Sequence, residues 1–332
     1  MSSAAEQPMP SPPKHEGWSL CPICVRSTRC IHGERPGDEE AINIVNCRAF
    51  RHADEGQIVD DMRVHYPRYD RRFSAVAWHG ETAVGHALFT PARLRLLGTT
   101  VRALAVGPVA VVPEFQKQGI GGDLLHYGHE LGRCEGYAFA FLLGHSSYYP
   151  RYGYRTAMHD FSKIALAVDA LPAPDIEVDA RPVQPADLPW LAERLAAELA
   201  DVDFGWLAGP TLGAWRLPGI DALVWRDGNG RRAAYTMRPA RARDKVSLVL
   251  ADDPELACQV IYHLRPNALE HHPSGWLART ALDPAWSSVE CAPSAAAMAC
   301  ELQQGALDDY LADVGAGRPI GYVNWLLPFL AH

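Results

Sequence analysis

The stretch Val109-Ala110-Val111-Val112-Pro113-Glu114-Phe115-Gln116-Lys117-Gln118-Gly119-Ile120-Gly121-Gly122 joins a β-branched apolar run to a turn rich in amide side chains and glycine. Such a run predicts a buried strand, Pro113 ends it, and the glycines open a helix. Glycine tolerates positive φ and lets a ligand approach the main chain closely. The free N–H groups of the turn and of the first helical residues then converge where the helix dipole favours negative charge. A pyrophosphate suits that seat. The G-K-[ST] ending of a P-loop is missing, as is the first glycine of the dinucleotide G-x-G-x-x-G fingerprint, so neither of those phosphate sites is indicated.

A second cluster with chemical potential lies near the start. Cys21-Pro22-Ile23-Cys24 is followed by Cys30 and His32. A C-x2-C turn brings two thiolates to one metal and is the usual half-site for tetrahedral zinc. If residues 28–35 form a strand, Cys30 and His32 point to one face and complete a four-ligand structural zinc site that pins the N-terminal extension. Four protein ligands leave no open catalytic position. The spacing fits no standard finger, and a set of unrelated thiols is the competing reading.

The elements that must position these groups are legible in outline. Ile42, Val45 and Phe50 fall near helical spacing over 39–50, behind Asp38 as an N-cap. Residues 74–90 read as two strands joined by a tight turn at His79-Gly80-Glu81. Residues 101–113 are the central strand, and 137–144 a second buried strand that delivers the loop Tyr148-Tyr149-Pro150-Arg151-Tyr152-Gly153-Tyr154. Pro172, Pro174 and Pro182 mark a domain boundary. Beyond it come an amphipathic helix at 186–200, a hairpin turning at Asp227-Gly228-Asn229-Gly230, a strand-turn-helix over 246–264, and an apolar final strand over 320–329. Cys47 and Cys134 fall in predicted helices and read as core residues. Arg35-Pro36-Gly37-Asp38 and Arg181-Pro182 with Asp187 precede corresponding helices, and the element order repeats after each, which suggests a duplicated fold.

Gln116, Gly119 and Gly121 fit the Q/R-x-x-G-x-G/A element of the GNAT superfamily of N-acetyltransferases, and Tyr148–Tyr154 fits a Y-Y-x-x-[FY]-G-[FY] ending found in one of its branches. From about residue 30 to 170 the chain resembles that family in element order as well. The resemblance implies an α/β (α+β) fold with a mixed central sheet flanked by helices. It divides the chain into a tail and cysteine-bearing extension (1–29), an acetyl-CoA-binding domain (30–172) and a second, degenerate GNAT-like domain (176–332). It also implies that the main chain of Ala110, Val111 and Val112 holds the pantetheine arm as a pseudo-strand. Gln116, Lys117, Gln118, Gly119, Ile120, Gly121 and Gly122 would surround the pyrophosphate. Tyr149, four residues before Gly153, stands where the family often places its general acid; a packed aromatic is the alternative, and Tyr148 beside it leaves the choice of tyrosine open. The predicted central strand carries no carboxylate, so the base falls to His86 or His145, each equally readable as a structural histidine. Asp60, Asp61 and Tyr66 would line the acceptor pocket, unless the two acids belong to a solvated helix face.

Composition narrows the partners. The 332 residues are 48% hydrophobic and 21% charged, enough for real cores. Of the net charge of −8, residues 1–175 carry 18 basic against 19 acidic groups and the remainder 13 against 20. There is no basic stripe for nucleic acid. No uncharged apolar run approaches the roughly 18 residues of a membrane span, and the first residues lack the pattern of a signal peptide, so the cytoplasm is expected. The second half has no Q-x-x-G-x-G, and Asp252, Asp253 and Glu255 stand where a pyrophosphate would need donors. The expectation is therefore one active site, moving an acetyl group from acetyl-CoA to a primary amine of a small molecule or protein, an acceptor of cationic character, by direct attack in a ternary complex. The rivals are a longer acyl-CoA, a hydroxyl acceptor, or a non-catalytic module that senses acyl-CoA or a metabolite.

Overall fold

Strand alternation and glycine placement explain how the first half is layered. A computed structural model describes residues 29–323 apart from 67, 160–162, 210, 217–218 and 291–292. Its first half runs β1 (Arg29–Gly33), α1 (Glu39–Phe50), α2 (Asp54–His65), β2 (Ser74–His79), β3 (Thr82–Leu96), β4 (Thr99–Val111), α3 (Ile120–Cys134) and β5 (Phe139–Leu143). The strands lie in the order β1-β2-β3-β4-β5, antiparallel except for the parallel β4–β5 pair. Neighbouring residues on β3 face opposite sides. A side chain at Gly85 would meet Ile120 and Leu124 of α3, whereas His86 bonds Asn46 of α1. The sheet is thus covered by α1 and α2 on one face and by α3 on the other. A methyl group at Gly128 would strike the Phe89 ring, so the bare glycine lets α3 settle against β3. Phe89 is fully buried there, worth about 1.5–3 kcal/mol by area removed from water. Cys47 and Cys134 correct their expectation: both lie on the solvent side of their helices.

The second half runs β6 (Lys163–Leu166), β7 (Val178–Pro182), α4 (Leu188–Glu198), β8 (Phe204–Leu207), β9 (Ile220–Asp227), β10 (Arg232–Pro239), β11 (Lys245–Val246), β12 (Leu248–Leu250), α5 (Pro254–Leu264), β13 (Ala268–Leu269), α6 (Trp276–Thr280), β14 (Ser287–Glu290), β15 (Ala297–Glu301) and α7 (Asp308–Gly315). Its sheet order β12-β10-β9-β7 mirrors β4-β3-β2-β1, and β11 is parallel to β13 as β4 is to β5. The R-P…D echo uses different bonds in the two halves. Arg181 forks onto Asp187 at 2.7 and 2.8 Å, whereas Asp38 accepts the Arg35 main-chain N–H at 2.8 Å.

The proline-rich stretch at 170–182 is crossed in both directions. Before it, β6 joins β13 and β14 of the second half. Long after it, β15 adds to the far edge of β5, from Ala297 opposite Leu143 to Glu301 opposite Phe139. Strand β8 also pairs with the distal end of β3. Met298, Ala299, Leu307, Tyr310 and Val323 accordingly belong to the first-half core. Of the expected final strand, Tyr322 donates its N–H to Phe204 at 2.8 Å; residues beyond 323 lie outside the described part.

Candidate active site

The two buried strands part company at the point where the motif begins. β4 pairs with β5 only at Ala103–Ala105 opposite Phe139–Phe141. Beyond Ala105, β4 stays on β3 as far as Val111, while β5 keeps β15 on its other side. Among the described residues, no strand fills the edge of β4 past Ala105 that faces β5. Val112 donates its N–H to the Val84 carbonyl at 3.0 Å. By strand alternation Ala110 therefore directs its peptide groups to β3, as Val112 directs its N–H while its carbonyl accepts the Phe115 N–H at 2.9 Å, and Val109 and Val111 direct theirs to the open edge. Gln116 Nε2 donates to the Val111 carbonyl at 3.0 Å, holding the turn against the strand end. Of the three residues expected on this edge Val111 alone has its peptide groups there, and Val109 joins it. The signal that could have found Val109 is this parity, which needs the β3 register.

The seat follows directly. Lys117 (φ +60°) and Gly119 (φ +88°) both take left-handed backbone, which turns the chain from β4 into α3. Among the described residues no side chain caps the helix at Gly119, so the first amides of α3 keep their donors. The Gln118 side chain is structural: its Nε2 donates to the Glu114 carbonyl at 3.0 Å and its Oε1 accepts from Arg29 at 2.6 Å. Gly121 and Gly122 make room for aromatics. A methyl at Gly121 would strike the Tyr148 hydroxyl, and one at Gly122 would come within 2.6–2.9 Å of Tyr152.

The tyrosine loop closes the mouth between β4 and β5. The Tyr148 N–H bonds the His145 carbonyl at 2.9 Å, and Tyr149–Tyr152 form a 3₁₀ turn. The Tyr149 ring lies against Gly144 and edge-on to Tyr148 and Tyr154, with ring centres 5.0 and 5.6 Å away. Tyr148 bonds Tyr152 through its hydroxyl, and Tyr154 bonds His129 at 2.9 Å. Tyr149 makes no side-chain hydrogen bond with the described residues, and burial pushes its phenol up to about 12. It keeps its proton throughout the neutral range and has it free to give. The loop rests on the second half. Arg155 and Ala299 exchange main-chain bonds at 2.8 and 3.1 Å, and Gly144 N–H reaches Ala296 at 2.9 Å. Tyr310 donates to Met158 at 2.8 Å.

The other expected site residues are dispersed. His86 is fully buried between Asn46 Nδ2 (3.1 Å) and Ser74 Oγ (3.0 Å). Ser74 gives its own proton to Glu34 at 2.7 Å, so His86 donates Nε2–H to the serine and accepts from Asn46 at Nδ1. Burial lowers its pKa to about 3, and it is neutral in the fold. Glu34, whose side chain is 0% exposed, also pairs with Arg63 and Arg71 at 2.8 Å and accepts from the Tyr69 hydroxyl. Burial pushes its carboxyl up, and the bonds from Arg63, Tyr69 and Ser74 together outweigh it and hold the group below the usual range. His145 is exposed just past the end of β5. Asp60 is held by Arg63 and by Asn43 (2.7 Å), Asp61 by Gln57 (3.1 Å), and the buried Tyr66 hydroxyl donates to Pro91 at 3.1 Å.

Cys21 and Cys24 lie outside the described residues. Cys30 and His32 sit two apart on β1, opposite Trp78 and Val76. His32 Nδ1 bonds the Gly33 carbonyl at 2.8 Å, and its ring stacks on Trp78 at 6.1 Å. Among the described residues no group of three or more His, Cys, Asp or Glu is placed to hold a metal ion, so the zinc expectation gains no support. No described helix is long and apolar enough to cross a membrane.

In the second half the corresponding helix head is closed. Asp253 accepts the Glu255 N–H at 2.8 Å as an N-cap of α5, and Asp252 accepts from Trp190 Nε1 at 3.0 Å.

Comparison with known proteins identifies the family. The family model described as the acetyltransferase (GNAT) domain matches residues 33–157. The uncharacterized N-acetyltransferase YjhQ of Escherichia coli (strain K12) is 34% identical over 130 residues, which cover 39% of this chain and 71% of that protein. Among solved structures, the GCN5-related N-acetyltransferase from Kribbella flavida superposes with a TM-score of 0.65 at 15% identity, covering 85% of this chain and 73% of that one. A probable N-acyltransferase from Enterococcus faecalis V583 gives 0.63 at 13% identity, covering 85% and 74%. These two are likenesses of fold, and they extend over both halves. The chain belongs to the GNAT family and is an N-acetyltransferase.

Proposed function

We propose that this enzyme transfers the acetyl group of acetyl-CoA to a primary amine by direct attack in a ternary complex, at one active site in the first half. The observation that carries the reading is the unfilled edge of β4 leading straight to the uncapped head of α3. Pantetheine amides would pair with Val109 and Val111, and the pyrophosphate would sit on the amides from Gly119 to Gly122. No covalent intermediate is needed. The amine nitrogen attacks the thioester carbonyl, the carbonyl π pair moves to oxygen, and collapse of that intermediate expels the coenzyme A thiolate. Tyr149, with its proton retained and its hydroxyl unbonded among the described residues, would protonate the thiolate. His145, exposed beside the same loop, is the better placed histidine to take the amine proton, since both His86 nitrogens are engaged.

The second half would be a decayed copy that supplies β15 as support for the catalytic loop. Its plugged helix head and the repeated strand order support that reading. Thiol release from acetyl-CoA across an amine library, with Tyr149→Phe as control, tests the proposal. Turnover on an amine that collapses in the variant is expected. Tight acetyl-CoA binding with no turnover on any amine would favour a sensing module.

A further inference from the structure

We propose that Tyr148 and Arg151 form a clamp for the phosphates of coenzyme A, facing the head of α3 from the catalytic loop; this rests on the acetyl-CoA reading above. The position argues for it first. The Tyr148 hydroxyl lies against Gly121, the second residue of α3, and a methyl at that glycine would also stand 3.8 Å from Val111 Cγ2. The end of β4, the first turn of α3 and Tyr148 therefore meet at one point. Arg151 is fastened there as well. Its Cζ lies 4.8 Å from the centre of the Tyr148 ring, and its Nε donates to the Tyr148 carbonyl at 3.2 Å. Two contacts hold the guanidinium, yet among the described residues it forms no ion pair. It is exposed, with donors left for an anion.

Charge balance argues for it second. The first turn of α3 carries the exposed Asp123, which opposes the helix dipole at the seat. Lys117 in the turn offsets one negative charge, and a coenzyme A molecule brings several. A cation delivered from the opposite side by a rigid stack supplies what the turn lacks, and the planar fork of arginine suits phosphate oxygens. The loop that would carry the acid thus also grips the cofactor, which couples nucleotide binding to the placement of Tyr149.

Calorimetry on the full chain tests the clamp with coenzyme A, 3′-dephospho-coenzyme A and pantetheine. Arg151→Ala should weaken coenzyme A about tenfold, with a loss that shrinks as ionic strength rises, and Arg151→Lys should recover part of it. Tyr148→Phe keeps the ring and should cost less. Pantetheine, lacking phosphates, should bind each variant as it binds the wild type. A loss that persists with the dephospho form places the arginine on the pyrophosphate; a loss that vanishes places it on the 3′-phosphate. Wild-type affinity for coenzyme A in both Arg151→Ala and Tyr148→Phe overturns the clamp alone. Failure of the wild type itself to bind coenzyme A overturns the cofactor reading and the clamp together.

Discussion

His271 accepts the main-chain N–H of Val249 through Nε2 at 2.8 Å, while its Nδ1 faces Glu198 at 2.9 Å. Val249 lies on β12, the strand that corresponds in sheet order to β4. An imidazole thus occupies a main-chain donor on the strand whose counterpart in the first half has an unfilled edge, and Asp253 occupies a donor at the neighbouring helix head. Calorimetric titration with acetyl-CoA should therefore give one site per chain. Asp253→Ala should cost about 0.5–2 kcal/mol of stability through the lost cap and leave that stoichiometry at one. A measured value of two would refute the assignment of a single seat.

Tyr149→Phe removes only the hydroxyl. We expect kcat to fall by about 10²-fold or more while the affinity for acetyl-CoA stays close to that of the wild type. Because burial raises this phenol to about 12, the wild-type rate should show no loss assignable to it near pH 10. An unchanged kcat in the variant rejects Tyr149 as the acid.

Protonation of His86 links stability to pH. Its pKa is about 3 in the fold, against about 6.5 for an exposed imidazole. Between these values the unfolded chain binds a proton that the native chain does not, so stability is lost as pH falls through that window. The slope contributed is at most about 1.4 kcal/mol per pH unit. Denaturant titrations of wild type and His86→Gln between pH 7 and 4 check this; equal slopes would remove His86 from the account.

Glu34 gathers donors from α2, β2 and the segment between them. Glu34→Ala leaves the Arg63 guanidinium, itself only 11% exposed, without its main partner. The expected cost is about 3–5 kcal/mol, which in a chain of this size lowers Tm on the order of 10 °C. Scanning calorimetry measures it, and a shift of a degree or two would show that Asp60 alone satisfies the arginine.

The turn at the proposed seat was legible because its signals are local. Gly119, Gly121, Gly122 and Gln116 lie within seven residues, and the turn they dictate is the turn observed. Parity was not legible: the sequence cannot tell whether Val109 or Ala110 faces the open edge, because that depends on a bond from Val112 to Val84 on another strand. Asp60 and Tyr66 looked available because a sequence shows an acid or a phenol, not the Asn43 amide or the Pro91 carbonyl that engages it. The exchange of strands was hidden for a related reason. β6 is four residues long and β15 five, and nothing in either names a partner more than a hundred residues away in the chain.

The pairing of β15 with β5 also sets an order of events during synthesis. The loop that carries Tyr149 leaves the ribosome early, but the strand beneath it follows only when residue 301 has emerged. Until then β5 presents an apolar strand edge, the kind of edge that invites pairing with another chain. Folding of the catalytic sheet thus depends on contacts far apart in sequence, which slows it. A chain lacking its last forty residues would carry every motif residue of the proposed seat and still lack the strand that lies beneath the loop of Tyr149.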